Sequence, residues 1–265
     1  MSPPQLDTPV VILAGGLGTR LAGEAEFRPK PLVKIGRHPV LWHIMKIFSH
    51  FGFRNFIICL GHKGEMIREY FYHYQVNTGD VLFDAGSRTF TPIRAHEDDL
   101  DWKVLLADTG EETMTGGRIA RIAPYVGTDD FLVTYGDGVA DIDVQALVDT
   151  HRRLGKTATV TGIQPTSRFG ELMVSEGLVS AFREKQASDG WVNGGFFVFN
   201  KRIFEHLDGD RCVLEQSPLR TLAEERDLAV YQHRGFWQCM DTMREVELLN
   251  RLWADSSRPP WKVWG

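Results

Sequence analysis

Apolar segments of strand length alternate with amphipathic segments along most of this chain. Asn55–Leu60 and Phe131–Tyr135 are two of the apolar segments, and most of their positions are hydrophobic. Continuous apolar runs are typical of strands that are buried on both faces of a mostly parallel sheet. The same pattern predicts strands at Pro9–Ala14, Asn55–Leu60, Phe131–Tyr135, Ala158–Gly162, Phe196–Asn200 and Leu228–Gln232.

The segments between these runs carry apolar residues at the spacing of a helix face. In Gly64–Tyr74, for example, Ile67, Tyr70, Phe71 and Tyr74 fall on one side of a helix. Helices are predicted at Leu41–Phe51, Gly64–Tyr74, Val144–Leu154 and Arg244–Trp253. Because strands and helices alternate, the chain is predicted to have an α/β fold, with a mixed, mostly parallel central sheet flanked by helices. A single domain is predicted to span residues 1–265.

Two segments depart from the alternation. Residues 80–112 combine turn residues, alternating Thr and Phe, and an acidic cluster at residues 97–99, which predicts a hairpin or lid excursion. Whether that excursion covers a site or reaches a neighbouring subunit stays open. Residues 236–265 are predicted to form a C-terminal helix and an aromatic tail that carries Trp261 and Trp264 after two prolines. We expect the tail to pack on its own core, the alternative being a subunit interface, because aromatic residues are enriched in both.

The charge balance narrows the classes of partner. The chain has 265 residues, with 30 Lys and Arg against 35 Asp and Glu, for a net charge of −5 and no basic block. Nucleic acids and anionic membrane surfaces need a concentrated basic face, so neither is an expected partner. The 3 cysteines have no Cys-x-x-Cys spacing, the N-terminus lacks the features of a leader peptide, and no apolar run approaches the ~18 residues of a membrane span. Reduced thiols and a cytoplasmic location are therefore expected.

An apolar strand runs directly into a glycine-rich loop, Gly-Gly-Leu-Gly-Thr-Arg, at residues 15–20. Glycines let backbone N–H groups approach an anion closely, so the loop favours a phosphate ligand over the alternative, a tight strand-to-helix turn. It is neither of two familiar phosphate loops. Leu21 stands where the dinucleotide fingerprint has a small residue, and the Gly-Lys-Thr at residues 155–157 lacks the first glycine of a P-loop.

Charged residues follow this loop and a second buried strand. Arg28-Pro29-Lys30-Pro31 places two cations between prolines, which hold the backbone extended, and a cationic arm of this kind suits a polyphosphate as well as it suits a solvated loop. Asp137 lies between two glycines directly after the strand Phe131–Tyr135. Since ligands bind at the carboxyl ends of strands in open α/β sheets, Asp137 is placed to hold a divalent cation, although turn aspartates are common beside glycines.

Spacing alone gives three other polar sites ordinary structural explanations. Thr242 and Glu245 have the spacing of a capping box, so Asp241 could merely favour the start of the last helix. Glu184 and Lys185 could form a surface ion pair, and Asn193 could form a turn with the two glycines that follow it. The chain has no Gly-x-Ser-x-Gly and no His-Glu-x-x-His, so nothing suggests a covalent intermediate.

Taken in order, these motifs resemble those of the sugar-phosphate nucleotidyltransferases, over nearly the whole chain. The glycine loop carries the resemblance to the family as a whole. Later blocks carry the resemblance to its glucose-1-phosphate cytidylyl-transferring branch, namely residues 41–46, 56–59, 108–110, 114–118, 134–139, 236–238 and 260–262. The resemblance implies a Rossmann-like nucleotidyltransferase fold and a homo-oligomer. It also implies a Mg²⁺-dependent reaction of CTP with α-D-glucose 1-phosphate, which gives CDP-glucose and pyrophosphate for the synthesis of 3,6-dideoxyhexoses in bacterial O-antigens.

The resemblance also implies a role for each matching position. Metal ligation would fall to Asp137 and Asp241, and sugar-phosphate binding to Glu184, Lys185 and Asn193. The implied nucleotide-binding residues are Leu13, Ala14, Gly15, Gly16, Leu17, Gly18, Thr19, Arg20, Lys30, Thr113, Arg118 and Gly136. The implied catalytic residues are Arg20, Lys30 and Asp137. Arg28 and Gln186 stand where the family has lysine and proline, and the second change bears on the choice of sugar.

These roles agree with the chemistry of the reaction. A sugar 1-phosphate is already an anionic nucleophile, so an enzyme must overcome repulsion between anions, align the attack and stabilise the leaving pyrophosphate. Cations and a metal supply that positive potential without a nucleophilic side chain. The alternatives are a nucleotidyltransferase that uses UTP, dTTP or another sugar 1-phosphate, and a non-catalytic nucleotide-sugar sensor.

Overall fold

A seven-stranded sheet is the centre of the structure, which is a computed structural model. The structure describes residues 7–18, 21, 27–95, 100–164, 171–175, 178–183, 190–255 and 258–265. In spatial order the strands of the sheet are β14 (Leu228–His233), β10 (Ala158–Ile163), β13 (Val192–Asn200), β8 (Asp130–Tyr135), β1 (Val10–Leu13), β4 (Asn55–Leu60) and β7 (Lys103–Asp108).

The sheet is mixed and mostly parallel, as the sequence predicts. Strand β1 lies between β4 and β8 and is parallel to both, with Val10 opposite Phe56 on one side and Leu132 on the other. Only β13 runs against its two neighbours, β8 and β10. Every residue of β1 is buried, as expected for a strand at the centre of a two-sided sheet. The carboxyl ends of β1, β4 and β8 therefore share one edge, the place where open α/β sheets bind ligands.

Among the residues that the structure describes, shorter strands form four pairs outside the central sheet. The pairs are β2 (Lys34–Ile35) with β3 (His38–Pro39), β5 (Gly79–Asp84) with β6 (Thr89–Ala95), β9 (Gly138–Ala140) with β15 (Trp237–Cys239), and β11 (Glu171–Ser175) with β12 (Leu178–Arg183). The β9–β15 pair lies directly beyond the end of β8 and brings the last part of the chain to the binding edge.

The helices that flank the sheet include those predicted from the sequence, with Gly64–Tyr74 divided in two at His73, whereas the helices at Thr115–Ile122 and Ser217–Glu224 were not predicted. The helices are α1 (Val40–His50), α2 (Gly64–Tyr72), α3 (Tyr74–Asn77), α4 (Thr115–Ile122), α5 (Val144–Leu154), α6 (Ser217–Glu224) and α7 (Met243–Asp255). Helix α5 shows why the prediction succeeds. Its N-cap, Asp143, accepts a hydrogen bond from the Ala146 N–H, and it ends at Gly155 in the left-handed region, at φ +62°.

The segment 80–112 contains a hairpin, β5–β6, and also a strand of the central sheet. Strand β7 pairs in parallel with β4, with Asn55 opposite Lys103, so residues 103–108 belong to the sheet and the excursion is shorter than the sequence suggests. The strand was missed because it forms the sheet edge, where Lys103 is exposed and the next three residues are only half-buried. The acidic cluster at residues 97–99 lies outside the described residues.

The aromatic tail packs on the chain's own core, as expected. Trp261 is fully buried and Trp264 nearly so. The Trp261 indole donates a hydrogen bond to Nδ1 of His43 in α1, 3.4 Å away, and His43 Nε2 lies 3.0 Å from the Ile35 carbonyl oxygen. Because an indole can only donate, His43 must accept at Nδ1 and carry its proton on Nε2. Burial lowers the pKa of His43 to about 3.

The cysteines are free thiols, as expected, and burial raises the pKa of Cys59 to about 12. Within the described residues, none of the helices combines the length and the apolar character that crossing a bilayer would require.

Candidate active site

A cavity of about 420 Å³ opens at the carboxyl ends of β1 and β8. Backbone from the glycine loop forms one wall, and the loop before α4 together with the start of that helix forms another. The lining residues are Leu13, Ala14, Gly15, Gly16, Leu17, Gly18, Lys30, Pro31, Glu111, Glu112, Thr113, Met114, Thr115, Arg118, Tyr135, Gly136 and Asp137. This list includes every described residue that the sequence analysis assigns to nucleotide binding.

Arg118 holds the glycine loop in place by a hydrogen bond to the first residue of the loop. Its guanidinium is buried and donates from Nη2 to the carbonyl oxygen of Gly15, 2.9 Å away. Further hydrogen bonds go to the carbonyl oxygens of Leu60, Gly110 and Glu111 and to the Thr109 hydroxyl. All five acceptors are neutral oxygens. Burial lowers the pKa of Arg118 from its usual high value, but a guanidinium stays protonated in proteins, so a positive charge remains beneath the loop.

Two close approaches explain why glycine stands at the first position of the loop and directly after β8. A Cβ atom on Gly15 would lie 2.3 Å from Nη1 of Arg118, far inside contact distance. A Cβ atom on Gly136, at the end of β8, would lie 3.0 Å from the Leu13 carbonyl oxygen, which accepts a hydrogen bond from the Gly136 N–H. The two glycines therefore allow the arginine and the neighbouring strand end to pack directly against the loop.

Lys30 lies between two carboxylates at the mouth of the cavity. Its Nζ is 2.5 Å from Oδ2 of Asp137 and also donates to Oδ1 of Asp241. Burial lowers the pKa of Lys30, but the charges and hydrogen bonds of Asp137 and Asp241 outweigh burial, so the pKa lies above its ordinary value. The proline on each side holds the lysine in place, since Pro29 is extended and Pro31 is buried in the short 3-10 helix Lys30–Leu32.

Strand pairing brings Asp241 to Asp137 although the two are far apart in sequence. Strand β15 pairs antiparallel with β9, with Cys239 opposite Gly138, and the Met240 N–H donates to the Asp137 carbonyl oxygen at 2.9 Å. The glutamate half of the predicted capping box is also present, because Glu245 Oε2 accepts from the backbone N–H groups of Asp241 and Thr242. The cap and the site are thus not alternatives. The backbone of Asp241 belongs to the helix cap, while its side chain faces Lys30.

The carboxylate pair has the donor chemistry of a divalent cation site. Asp137 and Asp241 converge on one cationic group, the Lys30 ammonium, and both stay partly exposed. In the part of the chain that the structure describes, no cluster of three or more His, Cys, Asp or Glu side chains could enclose a metal alone. Two carboxylates with room for substrate oxygens are typical of Mg²⁺ bound together with phosphates. The residues therefore fit that ion.

The remaining predicted site residues divide into two groups. Thr113 is buried in the cavity wall, and Asn193 lies outside the wall but donates from Nδ2 to the Tyr135 hydroxyl, which is part of it. The predicted positions Thr19, Arg20, Glu184 and Lys185, and Gln186 beside them, lie outside the described residues. The structure thus brings the described candidates together around one cavity, and Asn193 reaches it through one intervening side chain.

Comparison with known proteins shows which family the chain belongs to. The sequence profile of the family described as Nucleotidyl transferase matches residues 9–244. The chain belongs to the nucleotidyl transferase family.

Curated relatives of this nucleotidyl transferase match nearly its whole length. It is 48% identical over 257 residues to a protein of Salmonella typhi named glucose-1-phosphate cytidylyltransferase, covering 96% of this chain and 98% of that protein. It is 42% identical over 255 residues to a Bacillus subtilis protein named probable glucose-1-phosphate cytidylyltransferase, covering 96% of this chain and 99% of that one. The resemblance seen in the motifs is therefore confirmed over nearly the whole sequence.

Solved structures show the fold of this nucleotidyl transferase independently. A crystal structure of HddC from Yersinia pseudotuberculosis superposes with a TM-score of 0.67 at 22% identity, over 93% of this chain and 99% of that chain. A UDP-glucose pyrophosphorylase complexed with UDP-glucose superposes with a TM-score of 0.66 at 16% identity, over 94% and 99% of the two chains. The fold class predicted from the sequence is confirmed.

Sequence reasoning assigned no role to several side chains at the cavity. Glu111, Thr115 and Tyr135 line it, and Glu215 contacts two of these three. Tyr135 could have been suspected, because it is the last strand residue before Gly136 and Asp137. Glu215 carries no such signal, since it lies in an irregular segment before α6 and is 80 residues from its partner Tyr135.

Proposed function

We propose that this protein transfers a cytidylyl group from CTP to α-D-glucose 1-phosphate, and that it releases CDP-glucose and pyrophosphate. The observation that carries the proposal is the contact of Lys30 with both Asp137 and Asp241 at the mouth of a glycine-walled cavity. The family, and relatives that carry this name at up to 48% identity over 96% of the chain, support the choice of substrates.

The reaction is one displacement at phosphorus. An oxygen of the sugar phosphate forms a bond to the α-phosphorus of CTP, and the bond from that phosphorus to the oxygen bridging to the β-phosphate breaks. Pyrophosphate leaves with the electron pair of the broken bond. Since the nucleophile is already an anion, no residue needs to remove a proton or form a covalent intermediate. The protein's task is to hold two polyanions together in line.

The cavity supplies positive potential from two sources. Backbone N–H groups of the glycine loop can contact the triphosphate, and the Arg118 charge beneath the loop adds to their effect. Lys30, which also lines the cavity, supplies a second cation, and in this proposal its ammonium turns from the two carboxylates to the phosphates when substrates bind. Thr113 and Gly136 line the nucleotide pocket in the same proposal, and Asn193 lies on the sugar-phosphate side.

Magnesium is part of the proposal, with Asp137 and Asp241 as its protein ligands. When bound, the ion would offset the charge of the triphosphate and stabilise the departing pyrophosphate. The Lys30 ammonium lies between the two carboxylates, so the space between them already holds a positive charge. This supports the choice of Asp137 and Asp241 as ligands of a cation. The roles of Thr19 and Arg20 on the phosphates, and of Glu184 and Lys185 on the sugar, stay predictions. So do self-association, a cytoplasmic location and a place in dideoxyhexose synthesis.

Pyrophosphate release by the purified protein tests this function. Glucose 1-phosphate and Mg²⁺ are supplied with CTP, UTP, dTTP or ATP in separate reactions, and each reaction is repeated with excess EDTA. Release with CTP well above the other nucleotides, abolished by EDTA and restored by Mg²⁺, is the expected result. Greater release with another nucleotide would overturn the cytidylyl assignment, and no release with all four would overturn the proposed reaction. Mannose 1-phosphate and galactose 1-phosphate, tested with the preferred nucleotide, measure the strictness of sugar choice.

A further inference from the structure

Glu215 joins two walls of the cavity. It lies in the irregular segment between the 3-10 helix Lys201–His206 and α6, and its carboxylate accepts hydrogen bonds at both oxygens. The Thr115 hydroxyl donates to Oε2 at 2.7 Å, and the Tyr135 hydroxyl donates to Oε1 at 2.5 Å. Thr115 is the first residue of α4, Tyr135 is the last residue of β8, and both line the cavity.

The direction of each hydrogen bond in this group is determined by the chemistry of the partners. An ionised carboxylate can only accept, so the Tyr135 and Thr115 hydroxyls must both donate to Glu215. Each hydroxyl oxygen is then an acceptor for a second group. The Thr115 oxygen accepts from the Leu214 N–H at 2.9 Å, and the Tyr135 oxygen accepts from Asn193 Nδ2 at 3.2 Å. Neither hydroxyl is able to turn without losing a partner.

The orientation of the Asn193 amide follows from the same group. Its Oδ1 accepts from the Gly195 N–H at 2.8 Å, which leaves Nδ2 for Tyr135. Gly195 has φ +80°, and a Cβ atom there would lie 2.5 Å from Cδ2 of the Tyr135 ring, so the turn packs directly against that ring. Asn193 is thus held at one end by its own turn and at the other by the phenol.

We infer that Glu215 is a positioning residue, which orients the Tyr135 hydroxyl and, through it, the Asn193 amide at the sugar-phosphate side of the cavity. The inference rests on the proposed function, since it takes Asn193 to contact the sugar phosphate. Through Thr115, the same carboxylate connects this side with the start of α4 in the nucleotide wall. Glu215 itself acts through its two hydroxyl partners and does not need to touch a substrate.

Steady-state kinetics of three variants test the inference. Glu215→Gln keeps the shape of the side chain but replaces one acceptor oxygen with a donor group, and Tyr135→Phe removes the hydroxyl. Each is expected to raise the KM for glucose 1-phosphate about tenfold, the effect of one lost charge-assisted hydrogen bond, with the KM for CTP within about twofold for Tyr135→Phe. The KM of the double variant for glucose 1-phosphate is expected to be no higher than that of the more impaired single variant, because both changes break the same connection. Glu224→Gln, an exposed change in α6, is the matched control and should behave like the wild type.

Several outcomes would overturn the inference. They are an unchanged KM for glucose 1-phosphate in both single variants, effects of the two changes that multiply in the double variant, or an equal rise of both KM values in Tyr135→Phe. Thermal unfolding of each variant checks that it is folded. If Glu215→Gln does not fold, the test is the difference between the changes in KM for glucose 1-phosphate and for CTP in Tyr135→Phe. The activity of the wild type in the same assay distinguishes a failure of the proposed function from a failure of this inference. An inactive wild type would overturn the proposed function and the inference together, whereas an active wild type with unaffected variants would overturn the inference alone.

Discussion

The Lys30 ammonium donates hydrogen bonds to both Asp137 and Asp241, a residue 211 positions away in sequence. One side chain thus occupies the space between the two carboxylates that we propose as metal ligands. In the free protein, Lys30 offsets the repulsion between the two carboxylates. The proposed reaction requires that it exchange these partners for substrate phosphates, and this exchange leads to two predictions.

Replacing Lys30 with glutamine should separate metal binding from turnover. Without the ammonium, the two carboxylates have no internal cation, so Mn²⁺ should bind the nucleotide-free protein more tightly than it binds the wild type. Turnover should nevertheless fall about 10²-fold, because a positive group that stabilises the transition state is lost. Isothermal titration with Mn²⁺ and pyrophosphate release measure the two effects, and Lys201→Gln on the exposed surface is the control. Weaker or unchanged Mn²⁺ binding would contradict the prediction.

Replacing Asp137 with asparagine should reduce turnover by roughly 10²-fold or more, since several kcal/mol of charge stabilisation depend on the proposed metal. The concentration of Mg²⁺ that gives half-maximal activity should rise at the same time. Asp149→Asn, an isosteric change on the exposed face of α5, serves for comparison. Near-normal turnover of the Asp137 variant, at the wild-type Mg²⁺ requirement, would remove Asp137 from the metal site.

The two first glycines of the loop should differ sharply in their tolerance of alanine. At Gly15 a Cβ atom would meet the Arg118 guanidinium, which five hydrogen bonds prevent from moving aside, and we expect a loss of about 1–3 kcal/mol of stability. At Gly16 no atom lies within 4 Å of the added carbon, so the change should stay within about 0.5 kcal/mol. Urea denaturation of the two variants gives the comparison. Equal losses would mean that Arg118 does not constrain the loop.

Stability should fall in mild acid because of His43. The pKa of the folded-state imidazole is lowered by burial to about 3, while an unfolded histidine titrates near its ordinary value of 6.5. Between those two pH values the unfolded chain binds a proton that the folded protein does not. This residue's contribution is therefore complete above about pH 6.5 and declines as the pH falls towards 3, by up to about 1.4 kcal/mol per pH unit.

The free energy of unfolding of the wild type and of His43→Gln, measured from pH 7 to pH 4, isolates that contribution. The wild type should lose stability more steeply than the variant over this range, whatever the difference between them at pH 7. His73→Gln, at an exposed position, should leave the slope as it is in the wild type. Parallel curves for the wild type and His43→Gln would show that His43 is not held neutral by the core.

The sequence predicts the centre of the fold well, because its strands are buried on both faces and have little ambiguity. Asn55–Leu60 and Val144–Leu154 have the predicted bounds. Strand β7 was missed although residues 104–107 form a short apolar run, because that run lies between two charged residues and within a segment rich in turn residues and charges. The sequence pattern alone also gives no sign that residues 103–108 pair with β4 and not with the hairpin before them.

The residues of the candidate site were likewise predicted where the signal is local and missed where it is long-range. The glycine loop and Asp137 were identified because they directly follow buried strands, a local signal. Asp241 became a candidate only through the family resemblance, since its spacing indicates a helix cap and the pairing that moves it to Asp137 is long-range. Glu215 was not identified at all, because its role depends on side-chain contacts with residues 80 and 100 positions away.

The capping of α7 also bears on how the protein is made. The backbone of Asp241 is fixed by Glu245, a residue in the first turn of that helix, and the tail beyond the helix is anchored through Trp261 to α1. A polypeptide that is still being translated, and whose last helix has not yet emerged from the ribosome, has the glycine loop and Lys30 but lacks the second carboxylate. The site is therefore completed only after Asp241 and the helix that follows it have been synthesised, and a product truncated before that helix lacks one of the two carboxylates that we propose as metal ligands.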